Sequence, residues 1–143
     1  MIYIVDFGSQ VTQLIARRVR EAGVYCEIIS NNSLLKNIEK TGCSGIIFSG
    51  GPASVHKANT PKIDKKAFDL NIPILGICYG MQLICHQLGG KVQLSKKREF
   101  GKTLIKPSKR SILFTGFNKG KTSSNVWMSH GDKVINLPKG FTS

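Results

Sequence analysis

Pro73-Ile74-Leu75-Gly76-Ile77-Cys78-Tyr79-Gly80-Met81-Gln82 is the stretch on which the fold reading turns. A short apolar, strand-like run leads into Gly-x-Cys-x-Gly, and a helical pattern begins at Tyr79. A residue at the tip of so tight a strand-to-helix turn adopts a strained backbone. Glycines two before and two after it let neighbouring backbone approach. A cysteine there feels the positive end of the helix dipole and free backbone N–H groups, which favour the reactive thiolate. The N–H of Tyr79 points towards the place where an oxyanion would form. On these residues alone two readings stand: Cys78 as a nucleophile, or a buried thiol at a tight turn. Cys85, on the same helix, reads as core.

Outward from the elbow, strands and helices alternate. Ile2 to Val5 reads as a buried strand. The apolar Val11, Leu14, Ile15 and Val19 recur at helical spacing, with Ser9 as N-cap and Gly23 as the stop. Val24 to Ile29 is expected as a strand, Ser33 to Lys40 as a helix closed by Gly42, and Gly45 to Phe48 as a strand. Pro61 to Leu70 is expected as a helix with Pro61 in its first turn, then a strand over Ile72 to Ile77 and a helix over Tyr79 to Leu88. This alternation predicts an α/β fold: an open, mostly parallel, doubly wound sheet with helices on both faces and any site along one edge. After Gly90 the pattern changes to short β-like pieces (Lys91 to Leu94, Lys102 to Ile105, Ser111 to Phe114, Asn125 to Ser129), expected as hairpins or a mixed sheet edge.

A second device sits at Ser49-Gly50-Gly51-Pro52. Consecutive glycines let backbone N–H groups turn outward as an anion-binding nest. In a doubly wound sheet this loop can lie beside the elbow and supply a second oxyanion donor, assigned to Gly51. The alternative is an ordinary turn. No Gly-Lys-Ser/Thr follows, so it is not a phosphate loop.

Composition narrows the classes. The 143 residues suit one domain, and 41% of them are hydrophobic, ordinary for a globular chain. No apolar run approaches the ~18 residues of a membrane span. Met1 to Asp6 reads as a strand with an acidic stop and not as a signal peptide, so a cytoplasmic protein with no membrane partner is expected. The four cysteines fall in no zinc spacing and are expected as free thiols. The formal charge is +13, and Lys91 to Lys121 holds ten Lys or Arg against one acid, Glu99. That segment is a candidate patch for nucleic acid, a phosphate or an acidic partner domain. Without interleaved aromatics for base stacking, nucleic acid is not the expected partner, and a solvated lysine-rich face is the simpler reading.

Elbow and glycine loop together resemble the class I, triad-type glutamine amidotransferases in order and spacing. Asp6-Phe7-Gly8-Ser9-Gln10, the Thr12 to Glu21 helix, Gly23 to Glu27, Arg98-Glu99-Phe100-Gly101 and Val126-Trp127-Met128-Ser129-His130-Gly131-Asp132 resemble the branch that forms GMP. The resemblance runs along essentially the whole chain. It implies that Cys78 attacks the side-chain amide of glutamine, that the N–H groups of Gly51 and Tyr79 hold the oxyanion, and that Gln82 with Ser129, His130 and Gly131 grips the amino-acid end. It implies no cofactor or metal in this chain. Ammonia would pass to a synthetase (ATP-pyrophosphatase) domain or subunit that uses ATP and magnesium to aminate XMP.

One departure stands out. The family's general base is a histidine oriented by a glutamate in a His-Pro-Glu motif, and these 143 residues contain none. His56 is expected to be exposed, His86 points along the elbow helix, and His130 belongs to the glutamine-gripping segment. His130 alone has an acid, Asp132, two residues on. Residues 1–143 are therefore expected to form an incomplete amidotransferase domain, its C-terminal part truncated and the synthetase domain absent. Two alternatives stay open: an inactive or regulatory glutamine-binding module, and a basic nucleic-acid-binding domain.

Overall fold

Two short strands set the architecture. In β1 (Ile2–Asp6), Tyr3 and Val5 turn into one apolar cluster and Ile4 into another. In β3 (Gly45–Phe48), Ile46 and Phe48 join the first cluster and Ile47 the second. Strands that are apolar on both faces need cover on both faces. The computed structural model describes residues 1–107, 111–116 and 123–143, with the side chains of 95–100 and 130 outside the description.

The main sheet has four parallel strands in the order β2-β1-β3-β4, with β2 at Cys26–Ser30 and β4 at Ile74–Gly76. On one face, α1 (Thr12–Glu21) packs Ala16, Ile15 and Val19 against Ile4, Cys26 and Ile47. On the other, Leu34 of α2 (Leu34–Thr41) and Leu83 of α3 (Tyr79–Gln87) cover Tyr3, Val5, Ile46 and Phe48. Burying a leucine such as Leu83 stabilises by about 2 kcal/mol. The first strand of the chain lies between the second and third, so the winding reverses at β1 and β3. In such sheets the ligand crevice opens where the strand ends part, at this reversal.

Three expectations are corrected. Pro61 to Leu70 is not an α-helix; only Lys65–Asp69 closes a 3₁₀ turn, capped by Asp64. Stronger partners claim the preceding backbone: Tyr79 Oη donates to Pro61 O at 2.6 Å, and the Gln87 amide bonds both Ile63 N (3.2 Å) and Ile63 O (2.7 Å). Ser9 is not the helix N-cap; Val11 is, and Ser9 Oγ accepts from its N–H at 3.2 Å. Ser111 to Phe114 is not a strand but a 3₁₀ turn over Ile112–Phe114.

The β-like pieces after Gly90 merge into a separate antiparallel ribbon, β5 (Lys91–Ile105) with β6 (Ser124–Asn136). Its base joins the core through buried Val92 and half-buried Val134. Among the described residues no helix is long and apolar enough to cross a membrane, and no three His, Cys, Asp or Glu cluster as a metal site.

Candidate active site

The elbow forms as its glycines require. Cys78 is exposed and precedes α3 with φ 50° and ψ −111°, a left-handed backbone that costs a non-glycine residue about 1–3 kcal/mol. A methyl group on Gly76 would meet Met81 N at 2.6 Å, and one on Gly80 would press into the Phe48 carbonyl. Both positions therefore exclude any side chain. Tyr79 opens α3, where the first amides have no acceptor within the helix.

The glycine loop lies beside the elbow. A Cβ on Gly50 would stand 3.6 Å from the Cβ of Cys78, and one on Gly51 would meet Phe7 O at 2.5 Å. Ser49, fully buried, is the knot between them. Its Oγ accepts from Phe7 N (3.2 Å) and donates to Gly50 O (3.0 Å), and its carbonyl accepts from Gly80 N (3.1 Å). Ile77 N donates to Phe48 O at 2.9 Å. The ends of β1, β3 and β4 thus converge within one hydrogen-bonded unit, at the crevice the topology marks.

Of the residues expected to grip glutamine, Gln82 is buried on α3, one turn past Cys78, and its Nε2 donates to Asp132 O at 3.0 Å. Ser129, His130 and Gly131 lie on β6 immediately before Asp132. The structure therefore joins the β6 segment to the elbow helix. His56 and His86 are exposed and face each other edge to face, their ring centroids 6.3 Å apart. The side chain of His130 lies outside the described residues.

The other cysteines behave as core. Cys26 is buried and donates to Ala16 O at 3.4 Å. Burial raises the pKa of Cys43 and of Cys85, and the Cys85 thiol donates to Asn136 O at 3.3 Å. Burial also raises the Tyr79 phenol, with the Thr60 hydroxyl offsetting part of the rise.

Sequence reading missed several supports of the site. Asp6 Oδ1 accepts from Gly8 N, Ser9 N and Thr12 Oγ1, ordering the loop after β1. An aspartate followed two residues on by glycine carries that turn signal. Ser54 Oγ donates to Asp132 Oδ2 at 2.6 Å across 78 residues of chain, and no local pattern announces it.

The family described as glutamine amidotransferase class-I matches residues 3–143. The chain is 54% identical over 140 residues to the glutamine-hydrolysing GMP synthase of Aquifex aeolicus, covering 98% of this chain and 27% of that protein. It is 55% identical over 140 residues to that of Agrobacterium fabrum, covering 98% and 27%. The chain thus spans roughly a quarter of the length of these curated relatives. A solved Thermoplasma acidophilum protein, described as one subunit of GMP synthase, is 35% identical with a TM-score of 0.76, covering 99% of this chain and 69% of that one. A glutamine amidotransferase from Methylobacillus flagellatus, at 18% identity and TM-score 0.67 over 98% of this chain and 58% of that one, adds the fold alone.

Proposed function

The chain belongs to the class-I glutamine amidotransferase family, and on that premise we propose that it is the glutaminase part of a GMP synthase, releasing ammonia from glutamine through Cys78. One observation carries this reading. Cys78 stands exposed on a left-handed elbow at the head of α3, with the glycine loop against it.

In the proposed reaction the Cys78 sulfur bonds to the side-chain amide carbon of glutamine. The carbonyl π electrons move to oxygen, and the N–H groups of Gly51 and Tyr79 stabilise that oxyanion. The tetrahedral centre then collapses, the C–N bond breaks, and the nitrogen takes a proton and leaves as ammonia. Water attacks the glutamyl thioester, releasing glutamate and restoring the thiol. Gln82 and the Ser129–Gly131 backbone hold the amino-acid end throughout. In this reading the ammonia passes to a synthetase (ATP-pyrophosphatase) domain or subunit, which uses ATP and magnesium to aminate XMP to GMP, and the glutaminase step itself needs no cofactor.

A second reading is glutamine binding without turnover by these 143 residues as they stand. No His-Pro-Glu motif occurs in these 143 residues. A positioned general base is typically worth about 10²–10⁴-fold in rate.

Acid-quenched mass spectrometry with L-glutamine tests both. The proposal expects a glutamyl adduct on Cys78 and slow ammonia release that Cys78→Ala abolishes. Bound glutamine with no adduct and no ammonia supports the second reading. Equal ammonia release by wild type and Cys78→Ala overturns the first.

A further inference from the structure

The β5–β6 ladder is irregular beside the site. Leu94 pairs with Asp132 and Glu99 with His130, so β5 advances five residues while β6 advances two. A ladder with such a bulge does not by itself set the position of Ser129, His130 and Gly131 relative to the elbow. Ties from outside the ribbon are needed, and two converge on Asp132. Its carboxylate accepts the Ser54 hydroxyl at 2.6 Å, from the loop that follows the glycine turn. Its carbonyl accepts Gln82 Nε2 at 3.0 Å, from the elbow helix. Asp132 is only 9% exposed, so the carboxylate bond is shielded from competing water. A hydrogen bond to a shielded carboxylate is among the stronger kinds a protein makes.

We propose that Ser54 and Asp132 form a positioning pair, their hydrogen bond holding the Ser129–Gly131 segment against the loop that follows the glycine turn, at the spacing from the elbow that the amino-acid end of glutamine requires. The inference rests on the reading that this segment and Gln82 grip glutamine. The pair touches neither the amide nor the sulfur. Its loss shifts affinity and leaves the intrinsic reactivity of Cys78 in place.

The test uses the full chain and a chloroketone analogue of glutamine, following saturation of Cys78 alkylation, with iodoacetamide as a probe that needs no glutamine site. Ser54→Ala is expected to raise the half-saturating analogue concentration about tenfold, the effect of one lost charge-assisted hydrogen bond. Its maximal rate and its iodoacetamide rate stay near wild type. Ser54→Thr keeps the hydroxyl and restores saturation. Should Ser54→Ala not fold, Asp132→Asn retains an acceptor oxygen and is expected to shift half-saturation about threefold, in line with a neutral bond replacing a charged one. Unmoved half-saturation, equal impairment by alanine and threonine, or a matching loss of iodoacetamide reactivity overturns the pair. Wild type that never saturates with the analogue overturns the proposed function, and the positioning role with it.

Discussion

At the scale of single residues, the site is made by positions that admit no alternative. A Cβ on Gly80 would run into the Phe48 carbonyl, and one on Gly76 into Met81 N. Gly80→Ala forces Phe48 or the elbow to move, as overpacking a tight core does, at a cost of about 1–3 kcal/mol. Thermal melting should show a fall of several degrees with slower iodoacetamide labelling of Cys78; an unchanged melt would place the elbow elsewhere. Steric requirements of this kind are written locally, so Gly76-x-Cys78-x-Gly80 was legible from the sequence. The hydroxyls and carboxylates that brace it were not. Ser49 reaches Phe7 across 42 residues and Ser54 reaches Asp132 across 78, and nothing near either serine encodes its partner.

At the scale of elements, β1, β3 and α3 followed their hydrophobic periods, whereas Pro61 to Leu70 did not become a helix. Pro61 suits the first turn of a helix, but the segment's backbone groups found partners on α3. Tyr79 Oη holds Pro61 O, and Gln87 holds both backbone groups of Ile63. Tertiary hydrogen bonds outweighed a propensity worth tenths of a kcal/mol per residue. The Tyr79 phenol makes this pin pH-dependent. Burial raises its pKa in the folded chain above the ordinary value near 10. Its contribution is therefore complete below about pH 10 and is lost as pH rises through the folded value, because the unfolded chain releases the proton first. Urea melts of wild type across this range should lose stability more steeply than Tyr79→Phe. The variant itself should be about 1 kcal/mol less stable at neutral pH, with Pro61 O left unpaired. Parallel pH profiles would show that the phenol is not the pin.

At the scale of the whole molecule, strand–helix alternation was enough to predict the doubly wound sheet, while the long ribbon was read only as fragments. Alternation reports which faces are buried, and the outer part of the ribbon buries little. Trp127 is 76% exposed and Leu104 58%, with Lys102 Nζ 5.9 Å from the Trp127 ring. Trp127 is the chain's sole tryptophan, so intrinsic fluorescence reads the ribbon directly. Acrylamide should quench it in the folded chain nearly as well as in urea; strong protection would mean that the ribbon is covered. The sheet topology sets the elbow where the strand ends part, and the proposed function rests on Cys78 there. The most direct measurement is peptide mapping after brief treatment with the glutamine chloroketone, with and without excess L-glutamine. One adduct is expected, on Cys78 and suppressed by glutamine, with buried Cys26 and the raised-pKa thiols Cys43 and Cys85 unmodified. Adducts spread over several cysteines, or labelling of Cys78 that glutamine leaves unchanged, would contradict it.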